Sequence, residues 1–355
     1  MSRRTRLFEL AGYSLIVIVS VVALAEVFLR VTGKYQVFSE MNGQPFYSEY
    51  GQIKDSWFHT RQPNDSFVPA GVDFHYPYVT NRYGFRDKNY DTAKSPSVFR
   101  ILVTGDSFAE GEGTPYDSTW PRIMEKMLDE KGVHAEVIDA GVAGSDIFYD
   151  YVHYREKLKE LHPDLIIASL NSSDYNDYLT RGGLERFYTD GTTHLKVAPW
   201  YMPLYVHSRF VRALFHKICG FNNTGLFVSY KQFDKASDST NVLFADVFER
   251  YKNEANKNGA AFVAMVHNTP IEIKSPEINV CQTNIRSLNN LANMLSAEGV
   301  RCFNLSKPLH NQFATMPIGQ LSYPHDMHYK PIAYAYMGKV ISDSLLLNGI
   351  VTPTP

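Results

Sequence analysis

One serine in this chain stands where a hydroxyl could do chemistry. The stretch Phe99-Arg100-Ile101-Leu102-Val103-Thr104-Gly105-Asp106-Ser107-Phe108 runs from an apolar, β-branched segment straight into Gly-Asp-Ser. The apolar run reads as a buried strand, and the turn chemistry after it stops that strand sharply. In open α/β sheets the carboxyl ends of the strands are where ligands bind. A serine there can attack a carbonyl once a base removes its proton. The far end of the chain offers that base in Tyr323-Pro324-His325-Asp326-Met327-His328-Tyr329-Lys330-Pro331. His328 precedes a helical pattern from Pro331 to about Leu346, and Asp326 is close enough to fix its tautomer through the other ring nitrogen. A lone histidine is more often a surface or packed residue, and His325 could serve equally. A metal site built from His325, Asp326, His328 and His310 is disfavoured, because the spacing matches no helical ligand pair. No Cys-X-X-Cys occurs, so neither a metal nor another cofactor is expected.

An acyl-transfer site also needs donors for an oxyanion, and two further strand ends carry polar turns. Gly141-Val142-Ala143-Gly144-Ser145-Asp146 is a glycine turn entering a helix, whose free N–H groups can face an anion. Asn171-Ser172-Ser173-Asp174-Tyr175-Asn176-Asp177 is an amide-rich loop. A backbone N–H and an Asn side chain aimed at one oxygen would make an oxyanion hole. Each turn alone is weak, since most Gly turns and Asx caps are only turns and caps.

The elements that must hold these groups alternate. Strands are expected at Phe99–Thr104, Ala135–Ala140, Leu165–Leu170, Ala261–Val266 and Val300–Leu305. Helices are expected at Trp120–Lys131, Asp146–Leu161, Cys281–Ala297 and from Pro331 onward. Such alternation means a mostly parallel five-stranded sheet with helices on both faces. Between Tyr178 and about Thr240 the pattern breaks into an insertion containing Arg181-Gly182-Gly183 and Trp200-Tyr201, following a strand's carboxyl end where it could cover the site.

Gly105-Asp106-Ser107-Phe108, Gly144, the Asn-containing loop and Asp326-Met327-His328, in this order at strand ends, resemble the four blocks of the SGNH (GDSL-like) hydrolases. The resemblance covers residues 99 to about 348. It implies a flavodoxin-like three-layer α/β/α fold, with Ser107 as nucleophile, His328 as general base and Asp326 orienting it. It also implies an oxyanion hole from the Ser107 and Gly144 amides and an Asn. Two departures stand out. Asp326 and His328 are separated by one residue where many members have two, a spacing shared with envelope-associated branches that resemble alginate acetylation proteins. The third block reads Asn171-Ser172-Ser173-Asp174 in place of Gly-X-Asn-Asp, so Ser173 falls at the usual Asn position. Asn171, which directly follows the strand, is taken as the substitute; Asn176 with Asp177 is the alternative.

The resemblance implies an acyl-enzyme on Ser107. Transfer to water makes an esterase, and transfer to a hydroxyl makes an O-acyltransferase. Exported, membrane-tethered enzymes of this kind resemble those that add or remove acetyl groups on envelope or exported polysaccharides. The expected partner is therefore an acylated carbohydrate or a small ester, with Trp200 and Tyr201 suited to a carbohydrate cleft. An inactive fold kept as a carbohydrate-binding or assembly module is the alternative of another class. A lipase-like hydrolase is less favoured, since nothing predicts a long acyl pocket.

Composition bounds the rest. The 355 residues, 44% of them hydrophobic, suffice for a sizeable core. With 35 basic against 37 acidic residues, and no basic cluster beyond the first six, no nucleic-acid partner is indicated. Ser2-Arg3-Arg4-Thr5-Arg6 precedes an uncharged run from Leu10 to Ala25 that continues past Glu26 to Leu29. This is close to the roughly 20 residues needed to span a bilayer, and the basic flank puts the helix start in the cytoplasm. Ala23-Leu24-Ala25 also resembles a signal-peptidase site; the apolar residues past Glu26 favour an anchor over a cleaved signal. The bulk of the chain is then outside the cytoplasm. The expected organisation is a basic tail over 1–9, an anchor or signal over 10–30, a stalk and small β-rich subdomain over 31–97, and a hydrolase domain over 98–350 with its insertion at 178–240. Within the subdomain, Tyr78 to Asp87 reads as a strand and turn or as a packing lid. Among Cys219, Cys281 and Cys302, the intervening helix, roughly 24 Å long, disfavours Cys281 with Cys302; Cys219 with Cys281 is the better pairing, against three separate thiols.

Overall fold

The computed structural model describes residues 3–35, 53–54, 60–68, 73–189, 193–194, 201–218 and 230–353. Its centre is a five-stranded sheet of β1 (Phe99–Thr104), β2 (Ala135–Asp139), β3 (Leu165–Asn171), β4 (Ala261–His267) and β5 (Cys302–Asn304). The strands are all parallel and lie in the order β2-β1-β3-β4-β5. This is the flavodoxin-like order, in which the direction of progression reverses between β1 and β3 and opens a crevice at their carboxyl ends. Both faces are covered, which is why β1 and β3 read as continuous apolar runs and not as alternating ones.

On one face Ile101, Val103, Val137, Leu165, Ile167, Val263 and Met265 join Trp120, Met124, Leu128, Met337, Ile341 and Leu345 in a single core. Those last six come from helices Trp120–Glu130 and Pro331–Leu347. On the other face lie helices Tyr230–Lys257 and Asn279–Ala297, with Tyr251 and Phe248 against Phe262 of β4. The result is a three-layer α/β/α fold, as the alternation predicts.

The predicted elements and the structure differ in three places, the first being that the expected helix Asp146–Leu161 ends at Glu156 and gives way to a 3-10 turn over Leu158–Leu161. The last strand is three residues, Cys302–Asn304, because only that part pairs with β4 at the sheet edge. Helix Tyr230–Lys257 begins ten residues earlier than the expected end of the insertion. Its first half is held by polar contacts, Tyr175 Oη to Asn241 at 2.5 Å and Asn241 Nδ2 to the Ser287 carbonyl at 3.0 Å, so hydrophobic periodicity does not reveal it. Cys281 is a buried thiol and Cys302 a partly buried one, both free among the described residues, as the reading of separate thiols has it. Cys219 itself, like Trp200, lies outside the described residues.

The chain divides into two compact units. One comprises 50–196 and 234–355, so residues 60–97 belong with the sheet; there Ser66–Phe67 pairs antiparallel with Tyr78–Val79, followed by turns. The other comprises 1–49 and 197–233. It contains helix Arg3–Val31, whose segment Phe8–Val31 is long and apolar enough to cross a bilayer, and helices Met202–His207 and Arg209–Ile218. Tyr201 lies in this unit, with its ring 4.9 Å from that of Phe215.

Candidate active site

Ser107 opens a four-residue helix, Ser107–Glu110, directly beyond β1. Asp106 caps it, its Oδ1 accepting the Phe108 N–H at 2.9 Å. The turn is tight against its neighbours. A Cβ on Gly105, whose φ is +151°, would lie 2.9 Å from the Ala109 Cβ, and one on Gly141 would lie 2.4 Å from the Glu110 nitrogen. Both positions therefore require glycine. The Phe108 ring continues inward, 4.8 Å from the His328 ring and 5.3 Å from that of His267, and backs the imidazole.

His328 arrives on a loop pinched by an antiparallel bridge between Ser322 and Tyr329 and by Lys330 N–H donating to the Leu321 carbonyl at 2.8 Å. The single residue between Asp326 and His328 has a geometric consequence. Asp326 Oδ1 accepts both the His328 backbone N–H, at 2.8 Å, and its Nδ1–H, at 2.6 Å. An Asx turn of this kind fixes ring and backbone together. The other ring nitrogen, Nε2, lies 2.6 Å from Ser107 Oγ. Serine, imidazole and carboxylate are thus joined in one relay. Burial works against ionisation of Asp326, but the bond from His328 outweighs it and holds the carboxyl below its ordinary range. For His328, burial disfavours the charged ring, while Glu112 first and then Asp326 and Asp106 favour it, lifting the group to about 9.

Glu112, unnoticed in the sequence, sits with Oε2 3.7 Å from His328 Nε2. Its only sequence signal is its place between Gly111 and Gly113, both of which take positive φ in the structure. Among the described residues, Glu112, Asp326 and His328 are the one group of potential metal ligands, with donor atoms within 4.8 Å; they are the same groups that surround Ser107. His325 is elsewhere, its Nδ1 3.1 Å from Asp73 Oδ1, and His310 is exposed.

The turn after β2 presents a donor. Gly141 N–H goes to Asp139 Oδ1 at 3.0 Å, Val142 N–H to the Gly105 carbonyl at 2.9 Å and Ala143 N–H to Glu110 Oε2 at 3.0 Å. The next amide, on exposed Gly144 at φ +78°, makes no hydrogen bond among the described residues, and neither does the Ser107 N–H. Asn171, at the end of β3, is 1% exposed. It gives one Nδ2 hydrogen to Asp106 Oδ2 at 2.8 Å, and its Oδ1 accepts the Ser173 N–H at 2.9 Å and hydroxyl at 2.8 Å. Ser173 is the less buried of the two and also bonds Asp106, at 3.1 Å. Asn176 and Asp177 lie further along, inside helix Ser173–Arg181, with Asp177 3.4 Å from Arg181.

The sheet order is the one that the resemblance to the SGNH (GDSL-like) hydrolases implies. No family model matches it. An arylesterase of Vibrio mimicus is 28% identical over 83 residues, which is 23% of this chain and 42% of the arylesterase, so the match spans under half of that relative. Among solved structures, a lipolytic protein of the G-D-S-L family from Desulfitobacterium hafniense is 12% identical, with a TM-score of 0.40 over 69% of this chain and 98% of that one. A lipase/acylhydrolase from Enterococcus faecalis is 10% identical, with a TM-score of 0.44 over 72% and 98%. An acetyl xylan esterase is 14% identical, with a TM-score of 0.39 over 69% and 99%.

Proposed function

We propose that this chain is a serine acyl hydrolase working through an acyl-enzyme, with Ser107, His328 and Asp326 as its triad. The carrying observation is the unbroken relay Ser107 Oγ, His328 Nε2, His328 Nδ1, Asp326 Oδ1, at 2.6 Å for each of its two hydrogen bonds. In this reading Ser107 Oγ attacks the ester carbonyl carbon while Nε2 takes the hydroxyl proton, and Asp326 stabilises the imidazolium. The carbonyl oxygen becomes an oxyanion facing the unbonded N–H groups of Ser107 and Gly144. Asn171 is the third donor, through the Nδ2 hydrogen not given to Asp106. Collapse breaks the bond to the alcohol oxygen, which leaves with the proton from Nε2. Water, deprotonated by the same nitrogen, then attacks the acyl carbon; the bond to Ser107 Oγ breaks, Oγ takes the proton back from Nε2, and the carboxylic acid is released.

The substrate class in this proposal is an acetyl or other acyl group on an envelope or exported carbohydrate, reached by a domain held outside the cytoplasm by helix Arg3–Val31. The apolar span and its basic flank support that location. The test is hydrolysis of a small activated acetyl ester by the full chain, beside Ser107→Ala and His328→Ala, with and without an oligosaccharide. Each substitution is expected to lower kcat by about 10⁴-fold or more. Acetyl appearing on the oligosaccharide would move the reading to an O-acyltransferase. Folded protein without activity, and without Ser107 labelling by a serine-reactive phosphonate, would leave a carbohydrate-binding or assembly module. Asn171→Ala is expected to cost kcat about 10²-fold; a larger loss in Ser173→Ala would assign the third donor to that hydroxyl instead.

A further inference from the structure

The oxyanion turn is tied to a residue far outside the motif blocks. Glu110 is 2% exposed and ends the nucleophile helix. Its carboxylate receives a two-pronged contact from Arg61, Nε to Oε1 and Nη2 to Oε2, the second at 2.9 Å. The same Oε2 accepts the Ala143 N–H at 3.0 Å, one residue before Gly144. Arg61 is itself locked. Its guanidinium stacks over Tyr78 at 4.8 Å, and a Cβ on Gly84 would lie 2.3 Å from the Arg61 carbonyl oxygen.

Neighbouring residues of the same segment grip the same two loops. Arg86 donates to the Gly111 and Thr114 carbonyls, each at 2.7 Å, and Asp87 Oδ2 accepts the Asp139 N–H at 2.7 Å. The nucleophile loop and the end of β2 with its turn are therefore held in register by Arg61, Arg86 and Asp87. A buried carboxylate stripped of its cation is an uncompensated charge, which must take a proton or move toward water. Either change alters the acceptor that Ala143 relies on and so turns the adjacent Gly144 N–H.

We propose that Arg61 is a positioning residue for the oxyanion site: it holds Glu110, Glu110 holds Ala143, and that contact aims the Gly144 N–H at the carbonyl oxygen on Ser107. The proposal rests on the serine hydrolase reading and deepens it. A donor displaced by about 1 Å costs about 10²-fold in rate without weakening ground-state binding, so the signature is a loss in kcat at unchanged KM.

The experiment compares the full chain with Arg61→Ala, Arg61→Lys and the double variant Arg61→Ala/Glu110→Gln, measuring kcat and KM on a small activated ester and the thermal unfolding midpoint of each. Arg61→Ala is expected to lose about 10²-fold in kcat with KM within about twofold. Arg61→Lys keeps the charge but not the fork, and is expected about tenfold down. The double variant is expected to regain most of the lost kcat, because the neutral Gln carbonyl can accept the Ala143 N–H without a buried charge. Wild-type kcat in folded Arg61→Ala or Arg61→Lys, a loss confined to KM, or a double variant as folded as wild type yet no faster than Arg61→Ala would each overturn the proposal. If Arg61→Ala does not fold, Arg61→Lys decides alone: wild-type kcat, or a loss confined to KM, in the folded variant overturns the proposal. Failure of the hydrolase reading looks different: the wild type itself neither turns over the ester nor labels at Ser107.

Discussion

The electrostatics at His328 set the pH behaviour of the site. Left to burial alone the imidazole would be neutral; Glu112, followed by Asp326 and Asp106, raises it to about 9. A general base must be unprotonated, so kcat/KM, which reports the free enzyme, is expected to climb with pH and level off only above about pH 9. Glu112→Gln removes the largest of the raising charges and should move this limb to lower pH. A plateau already reached at pH 6 in the wild type would contradict the assignment of His328 as base, whereas an unmoved limb in Glu112→Gln would show that Glu112 does not govern it. Ser107, Asp326 and His328 could be read from the sequence because each sits beside a turn or helix boundary with its own local signature. Glu112, Glu110 and Arg61 could not, since their significance is a distance to something remote in the chain.

Packing between elements decides how the nucleophile turn is held. Gly141 lies against the backbone of Ser107–Glu110, and a Cβ there would meet main-chain atoms of Ala109 and Glu110 at 2.8 and 2.4 Å, which cannot swing away. Gly141→Ala is accordingly expected to destabilise the fold by about 1–3 kcal/mol and to remove ester hydrolysis. Gly319→Ala, where nothing lies within 4 Å and φ is ordinary, should stay within about 0.5 kcal/mol of wild type. Chemical denaturation of both variants checks the pair, and equal stabilities would refute the close approach. Of the elements themselves, β1 to β4 announce themselves as apolar runs because both their faces are covered. Helix Tyr230–Lys257 is less legible because Asn241, on its inner face, is buried by hydrogen bonds to Tyr175 and the Ser287 carbonyl and not by apolar contact.

The whole chain carries one more testable commitment, concerning its first helix. Within the unit of residues 1–49 and 197–233, Glu26 accepts the Phe210 N–H at 2.8 Å, the Ser208 hydroxyl at 2.9 Å and the Arg209 N–H at 3.2 Å, so it caps helix Arg209–Ile218. Arg209 in turn donates to the Leu29 carbonyl at 3.2 Å. These reciprocal caps give Glu26, an acid near the far end of the apolar span, a set of partners and build that end into folded structure. The mature protein is expected to keep residues 1–25 and to stay with membranes through alkaline carbonate extraction. An intact mass beginning at Glu26 would instead identify a cleaved signal.

Much of this protein is determined locally. Strand runs, turn residues and the Asp-Met-His spacing follow from burial and backbone chemistry within a few residues, and with them come the sheet, its layers and the relay of Ser107, His328 and Asp326. What only the tertiary structure decided is how residues 60–97 and the third block are used. Asn171 is turned toward Asp106 by packing at the β1–β3 crevice, and Arg61 reaches the oxyanion turn only through a buried carboxylate on another loop. A buried charge must find a partner somewhere in space, and a linear chain holds no record of which segment will supply it.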